Sequence, residues 1–249
     1  MIKLLLRKAR YYLKNIQDKK LLLKMSLSEN DLLCEIKEKK LTYLTKTKLA
    51  NILYTVNDLE QNECPGLFIE AGCALGGSSI LICRLKGSKR AFNVYDVFEM
   101  IPAPTEKDTE DVHQRFKIIK EGKSKGIKGD LYYGYENDLY AKVVQNFEDF
   151  NIQLEREKVK LVKGLVQDTM KISEPVAFAH IDVDWYEPVK TCLEQIWPNL
   201  IVGGSIILDD YHDWGGCRKA VDEYFERQEG PFSWQDEFGS LKVTRIKKA

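Results

Sequence analysis

Acidic residues follow two neighbouring apolar runs in the second half of the chain. Asp182 and Asp184 come directly after one run, and Asp209 and Asp210 come directly after the next. Both runs are typical of buried strands in a parallel sheet, so their carboxyl ends and these acids are expected to lie together. Carboxylates at one place repel one another unless a cation neutralises them, and oxygen ligands favour Mg²⁺, Mn²⁺ or Ca²⁺ over zinc. The pattern predicts a divalent-cation site, with helix capping as the simpler alternative.

A glycine-rich turn follows an earlier apolar run and forms a second candidate site. The stretch 68–79 passes from apolar residues through Glu70 and Gly72 into a helix that Ser78 or Ser79 could cap. A strand, a glycine turn and a helix make the first unit of a nucleotide-binding α/β domain. The spacing excludes a phosphate-binding P-loop, which ends in Gly-Lys-Ser/Thr, and it does not match the dinucleotide pattern G-x-G-x-x-G.

The next apolar run, 91–97, carries Asp96 near its end. An acid at the end of the second strand of a Rossmann-like fold accepts hydrogen bonds from both ribose hydroxyls. Taken alone, Asp96 could equally begin a turn. Its position after the glycine turn favours the ribose interpretation.

The elements that position these residues alternate along the chain. Strands are predicted at 67–69, 91–97, 159–162, 176–181 and 205–208, with a last β pair near 232–234 and 241–246. Helices are predicted after the caps Ser28 and Asp138, from about Thr45, from about Gly216, and around Pro188, which fits the first turn of a helix. This alternation predicts an α/β, Rossmann-like fold with a mostly parallel seven-stranded sheet and helices on both faces.

The predicted domain organisation has three parts. Residues 1–62 form an N-terminal helical extension, and 63–249 form the main domain. Within it, 98–137 is rich in proline, charge and tyrosine, which predicts an insertion without regular structure. We interpret it as an acceptor-binding lid, with an ordinary surface excursion as the alternative.

The bulk composition narrows the class of protein. Lys+Arg and Asp+Glu balance at 38 each, so no overall field favours nucleic acid as a partner. Six cysteines are scattered without a C-x-x-C pair, which indicates reduced thiols and a cytoplasmic protein. Residues 1–24 are basic with interleaved apolar side chains. They are interpreted either as a helix packing on the domain or a partner subunit, or as a peripheral membrane contact.

Longer motifs carry a resemblance to a known family. They are HIDVDWYE at 180–187, GGSIILDDY at 203–211 and CRKAV at 217–221, and the glycine turn resembles motif I of S-adenosylmethionine (SAM) methyltransferases. Over about residues 42–225 the chain resembles the TylF/MycF family, whose members are Mg²⁺-dependent O-methyltransferases acting on macrolide sugars. The resemblance implies SAM and Mg²⁺ as cofactors and a hydroxyl of a sugar-containing small molecule or glycan precursor as acceptor. By analogy with such enzymes, a homodimer is expected.

The same resemblance implies a role for each matching residue. Those expected at the SAM site are Glu70, Gly72 and Ser78 at the methionine end, Asp96 at the ribose, Val166 and Gln167 at the adenine, and Asp182. The implied metal ligands are Asp182, Asp209 and Asp210, whereas the role of Asp184 stays open.

The general base is where the sequence departs from the related enzymes. Catechol-type methyltransferases carry a lysine where this chain has Trp185, and the histidine of the macrolide enzymes is missing. His113 and His212 remain as candidates, while His180 is predicted to pack within a strand. Asp182 and His212 are the predicted catalytic residues. A catechol-like phenolic O-methyltransferase and a non-catalytic SAM-binding module are the alternative functions.

Overall fold

The computed structural model describes residues 22–247. The strands are β1 (Leu67–Ala71), β2 (Phe92–Asp96), β3 (Val159–Lys163), β4 (Val176–Ile181), β5 (Leu200–Leu208), β6 (Phe232–Glu237) and β7 (Ser240–Arg245). The α-helices are α1 (Leu27–Glu38), α2 (Lys46–Gln61), α3 (Gly77–Leu85), α4 (Glu110–Lys120), α5 (Leu139–Asp149), α6 (Val166–Thr169), α7 (Tyr186–Ile196) and α8 (Gly215–Phe225). The predicted alternation of strands and helices is confirmed.

One seven-stranded sheet has the order β3-β2-β1-β4-β5-β7-β6. The first five strands in that order pair in parallel, and only β7 runs antiparallel to its neighbours. The strand order reverses direction between β1 and β4. A crevice opens at the carboxyl ends of strands at such a switch point, and ligands bind there in open α/β sheets.

Successive side chains of each buried strand point to opposite faces of the sheet, and each face has its own hydrophobic core. Phe68 and Phe178 pack with α1, α2, α3 and α5 on one face, whereas Ile69 and Ala179 pack with α7 and α8 on the other. All five residues of β1 are buried, as expected for a strand covered by helices on both faces. Helices α1 and α2 thus share a hydrophobic core with the sheet.

Three predicted boundaries are wrong. Helix α1 is capped by Ser26, not Ser28, because Ser26 and Glu29 form a reciprocal capping box. Neither serine of the glycine turn caps α3, whose N-cap is Gly76 in the left-handed region. Strand β5 begins at Leu200, well before the predicted start, so the glycine pair 203–204 lies inside the strand and not in a turn.

The region 98–137 is structured, contrary to prediction. It contains α4 and has its own hydrophobic cluster, in which Ile101, Val112, Ile119 and Tyr132 pack with Trp185. Asp108 and Asp111 attach it to the domain: Asp108 Oδ1 accepts a hydrogen bond from the amide of Tyr186 (2.7 Å) at α7. Asp111 Oδ2 accepts one from the amide of Gly215 (3.0 Å) at α8. We refer to residues 98–137 as the lid.

The predicted membrane or partner contact of 1–24 falls almost wholly on residues 1–21, which lie outside the described part of the chain. Within 22–247 no helix combines the length and the apolar character needed to cross a membrane.

Candidate active site

Three carboxylates meet beyond the ends of β4 and β5. Oxygen atoms of Asp182, Asp209 and Asp210 all lie within 4.8 Å of one another. Strand pairing causes this, because Ile181 and Leu208, the last residues of the two strands, are register partners. The predicted convergence of the two acidic clusters is therefore present, and the group could hold a metal ion.

The electrostatics of this group fit a divalent cation. Burial raises the pKa of Asp182 well above its usual value, and the charges of Asp209 and Asp210 raise it further. Burial likewise raises the pKa of Asp210, reinforced by Asp184 and Asp209. Oδ1 of Asp209 is buried without a hydrogen-bond partner in the described chain. A buried acceptor of this kind is costly unless a ligand satisfies it.

Lys48 is a site residue that the sequence analysis missed. Its ammonium lies 2.7 Å from Oδ2 of Asp209 and 2.7 Å from Oδ2 of Asp213. Burial lowers the pKa of Lys48, but the two carboxylates outweigh that effect and hold it above its usual value. The lysine comes from α2, in the N-terminal extension, and contacts the end of β5. No sequence pattern joined residues so far apart.

The glycine turn passes very close to Asp182. Gly72 has φ +83°, and a Cβ there would lie 1.8 Å from the carbonyl oxygen of Asp182. The amide of Asp182 donates to the carbonyl of Ala71 (2.8 Å). Only glycine fits this position, because both the dihedral angle and the space exclude a side chain. The glycine turn and the acidic group are therefore adjoining walls of one site.

Two cavities meet at these walls. The larger has a volume of about 830 Å³ and the narrower one about 90 Å³. Gly72, Asp96 and Asp182 line both cavities, and Val166 and Gln167 line the narrower one. The predicted SAM residues Gly72, Asp96, Val166, Gln167 and Asp182 are thus brought together.

Asp96 also organises the turn. Its Oδ2 accepts from the amides of Cys73 (2.8 Å) and Ala74 (3.2 Å), and its Oδ1 accepts from the amide of Phe98 (2.7 Å). Oδ2 thus already accepts two hydrogen bonds, whereas Oδ1 accepts one and keeps a second lone pair for a ligand.

Glu70 and Ser78 do not line either cavity. Glu70 is fully buried, where it accepts a hydrogen bond from the hydroxyl of Ser79 and lies 2.8 Å from Nδ1 of His180. His180 is also fully buried, and its Nε2 lies 3.9 Å from Oδ1 of Asp209. Glu70 and His180 therefore stand behind the acidic group, on the side away from the cavities.

The other two histidines differ in position. His212 lines the larger cavity, with Nε2 2.6 Å from Oδ1 of Asp236 on β6. His113 is exposed on α4 and lines neither cavity. Trp185, which stands where catechol-type enzymes have lysine, is 2% exposed and donates from Nε1 to the carbonyl of Pro102 (3.0 Å).

Aromatic side chains from the lid and from the segments beside it line the larger cavity. They are Tyr43, Tyr132, Tyr133, Trp185 and Trp214. Tyr132 and Tyr133 have ring centroids 4.5 Å apart, and Trp185 and Trp214 have centroids 5.8 Å apart. Such surfaces suit the apolar faces of ring-shaped ligands.

Strand order, glycine turn and strand-end acids together define a class I SAM-dependent methyltransferase fold. The solved structure of the O-methyltransferase NovP superposes with a TM-score of 0.67 at 25% identity, covering 83% of each chain. The chain belongs to the TylF (macrocin-O-methyltransferase) family, whose model matches residues 34–239.

Curated relatives include two enzymes from Streptomyces. Demethyldecarbamoylnovobiocin O-methyltransferase of Streptomyces niveus is 31% identical over 185 residues, 71% of this chain. The 8-demethyl-8-(2,3-dimethoxy-alpha-L-rhamnosyl)-tetracenomycin-C 4'-O-methyltransferase of Streptomyces olivaceus is 30% identical over 183 residues, also 71% of this chain. The matched part spans 64% of the length of each relative.

Proposed function

We propose that this protein is a SAM- and Mg²⁺-dependent O-methyltransferase that methylates a hydroxyl on a sugar-containing small molecule or glycan precursor. The proposal rests mainly on one observation: the glycine turn, at Gly72, lies directly against the acidic group, at Asp182. Family membership supports the reaction type, and the rhamnosyl acceptor in the name of one relative supports a sugar.

Each wall of the cavities has a proposed role. SAM would lie over the glycine turn, with its ribose near Asp96 and its adenine beside Val166 and Gln167 in the narrower cavity. Asp182, Asp209 and Asp210 would hold Mg²⁺. A bound Mg²⁺ ion acidifies and orients hydroxyl groups, which is the chemistry this reaction needs.

The residues of this chain contribute mainly positioning. Methyl transfer breaks the bond between carbon and sulfur in SAM, forms a bond to the acceptor oxygen, and releases S-adenosylhomocysteine and a proton. The turn fixes one substrate and the aromatic lid surface fixes the other, so the two meet near Asp182. Near-attack positioning is worth about 7–11 kcal/mol in favourable cases. His212 lines the same cavity and stays a candidate for accepting the proton.

Calorimetry tests the proposal directly. S-adenosylhomocysteine and then Mg²⁺ would be titrated into chelator-treated protein, followed by assays with glycosylated acceptors. We expect micromolar binding of the first and a separate Mg²⁺ site that Asp182→Asn removes. Binding of S-adenosylhomocysteine without methyl transfer to any hydroxyl acceptor would favour a SAM-binding module. Absence of binding would overturn the proposal.

The homodimer, the cytoplasmic location and the contact made by 1–24 stay predictions. Size-exclusion chromatography with light scattering would test the first of them.

A further inference from the structure

Arg115 is a cation of the larger cavity that attracts the Asp184 carboxylate but forms no ion pair with it within 4.0 Å. It lies on α4 of the lid and lines the cavity. Its guanidinium donates one hydrogen bond, to the hydroxyl of Ser124 (2.9 Å), and stands 5.7 Å from the ring centroid of Tyr132. No carboxylate between residues 22 and 247 forms an ion pair with it within 4.0 Å. Four of its five N–H groups thus have no acceptor among residues 22–247.

The other cation of the cavity is fully engaged. Lys48 contacts Asp209 and Asp213, and it also donates to the carbonyl of Asp209 (3.1 Å). The cavity is therefore polarised. The three carboxylates proposed to hold Mg²⁺ lie at the strand ends, whereas Arg115 lies on the lid, where Asp184 attracts it from beyond ion-pair distance.

The lid around Arg115 is basic although the whole chain is neutral. Residues 115–130 contain six basic and two acidic residues. Both acids are already paired, Glu121 with Lys123 and Asp130 with Lys40. Lys117, Lys120, Lys125 and Lys128 form no ion pair within the described chain. An anion approaching this side of the cavity meets a favourable field.

We propose that Arg115 binds an anionic group, a carboxylate or a phosphate, on the acceptor. This inference rests on the proposed function and defines the acceptor class more closely. A guanidinium presents paired N–H donors that match carboxylate and phosphate oxygens. The aromatic surface at Tyr132 would hold the sugar ring while Arg115 pairs with the acidic substituent. The acceptor class is thus an acidic sugar or a phosphorylated sugar.

Three variants distinguish anion binding by Arg115 from a general effect of surface charge and from a purely structural role. Arg115→Gln removes the charge from the cavity. Lys117→Gln removes the same charge from the exposed surface of the same helix. Ser124→Ala removes the one hydrogen bond that Arg115 makes within the protein while leaving its charge in place.

The probes are neutral and anionic versions of one sugar. Protein saturated with S-adenosylhomocysteine and Mg²⁺ would be titrated with a methyl hexoside, the matching methyl hexuronoside, the hexose 1-phosphate and a nucleoside diphosphohexose. The uronoside and the phosphates distinguish a carboxylate from a phosphate source. Affinity for S-adenosylhomocysteine is measured for every variant, because the cofactor carries a carboxylate of its own.

We expect at least one anionic probe to bind more tightly than the neutral hexoside. Arg115→Gln should weaken that binding at least about tenfold, in line with the loss of a charge-assisted pair, and Lys117→Gln and Ser124→Ala less than about threefold. Affinity for S-adenosylhomocysteine should stay unchanged. Equal binding of neutral and anionic probes, or equal effects of Arg115→Gln and Lys117→Gln, would overturn the inference.

Weakened binding of S-adenosylhomocysteine in Arg115→Gln would overturn it too, by assigning the arginine to the cofactor carboxylate. Failure of the wild-type protein to bind S-adenosylhomocysteine at all is a separate outcome that contradicts the proposed function.

Discussion

Lys48 and Asp209 form a buried ion pair that joins helix α2 to the end of strand β5. The Nζ atom lies 2.7 Å from Oδ2, and the two side chains are 11% and 5% exposed. This contact makes the N-terminal extension part of the site. It also leaves Asp209 with one satisfied oxygen and one unpartnered oxygen, Oδ1.

Lys48→Met should destabilise the metal-free protein. Removing one partner of a buried ion pair leaves an uncompensated charge, which costs about 3–5 kcal/mol. Lys46→Met is the matched control on the same helix. Within residues 22–247 Lys46 binds the uncharged side chains of Asn30 and Cys34, so its loss should cost about 1 kcal/mol. Urea unfolding in chelator measures both free energies. Equal losses for the two variants would contradict a special role for Lys48.

Asp182→Asn should separate metal binding from stability. In chelator the variant should be at least as stable as the wild type, because the substitution removes a charge that Asp209 and Asp210 repel. Saturating Mg²⁺ at about 100 times its dissociation constant should stabilise the wild type by about 2.7 kcal/mol and the variant hardly at all. Thermal unfolding with and without Mg²⁺ checks this. An equal response in both proteins would argue against Asp182 as a ligand.

Gly72→Ala should disrupt the glycine turn. The added Cβ would collide with the Asp182 carbonyl in a left-handed residue, so we expect a loss above about 3 kcal/mol and no binding of S-adenosylhomocysteine. Gly122→Ala is the control, with φ +70° and no atom within 4 Å of the new Cβ. That substitution should cost about 1 kcal/mol and leave cofactor binding intact. Chemical unfolding and calorimetry measure both effects, and a mild Gly72→Ala phenotype would count against the close approach.

Trp185→Phe should loosen the lid. The change removes the hydrogen bond from Nε1 to Pro102, worth about 1 kcal/mol, while keeping most of the packing. KM for the acceptor should rise, whereas affinity for S-adenosylhomocysteine should stay the same. Trp234→Phe on the exposed β6 is the control and should leave both unchanged. A change confined to cofactor affinity would contradict this role.

The sequence predicted the parts of the fold that depend on local pattern. Strand β4 is apolar over Val176–Ile181 except at His180, and the sequence predicts both of its ends correctly. The parallel order then brought Asp182 and Asp209 together without further information. Sequence alone does not decide between Ser26 and Ser28 as the cap of α1, because either serine can offer a capping oxygen; the capping box with Glu29 selects Ser26.

Local sequence patterns do not predict the structure of the lid or the partners of Lys48, and the reasons differ. Helix α4 buries Val112 and Ile119 at helical spacing, but most of its residues are charged or polar, so the segment resembles a loop in composition. Its packing depends on Trp185, far along the chain. Lys48 occupies a helix face that looks solvated in sequence, and its partners become evident only when α2 packs beside β5.

Two hydrogen-bonded carboxylates hold the lid to the rest of the domain, so substitutions in the lid should have different effects from substitutions elsewhere. Asp108 and Asp111 bind the first turns of α7 and α8 before the lid reaches Arg115 and Tyr132. Under the proposed function, substitutions beyond these anchors should alter the acceptor surface but leave the sheet, the glycine turn and the acidic group in place. Exchange of this one segment should then change the preferred acceptor without altering the residues proposed to bind SAM and Mg²⁺.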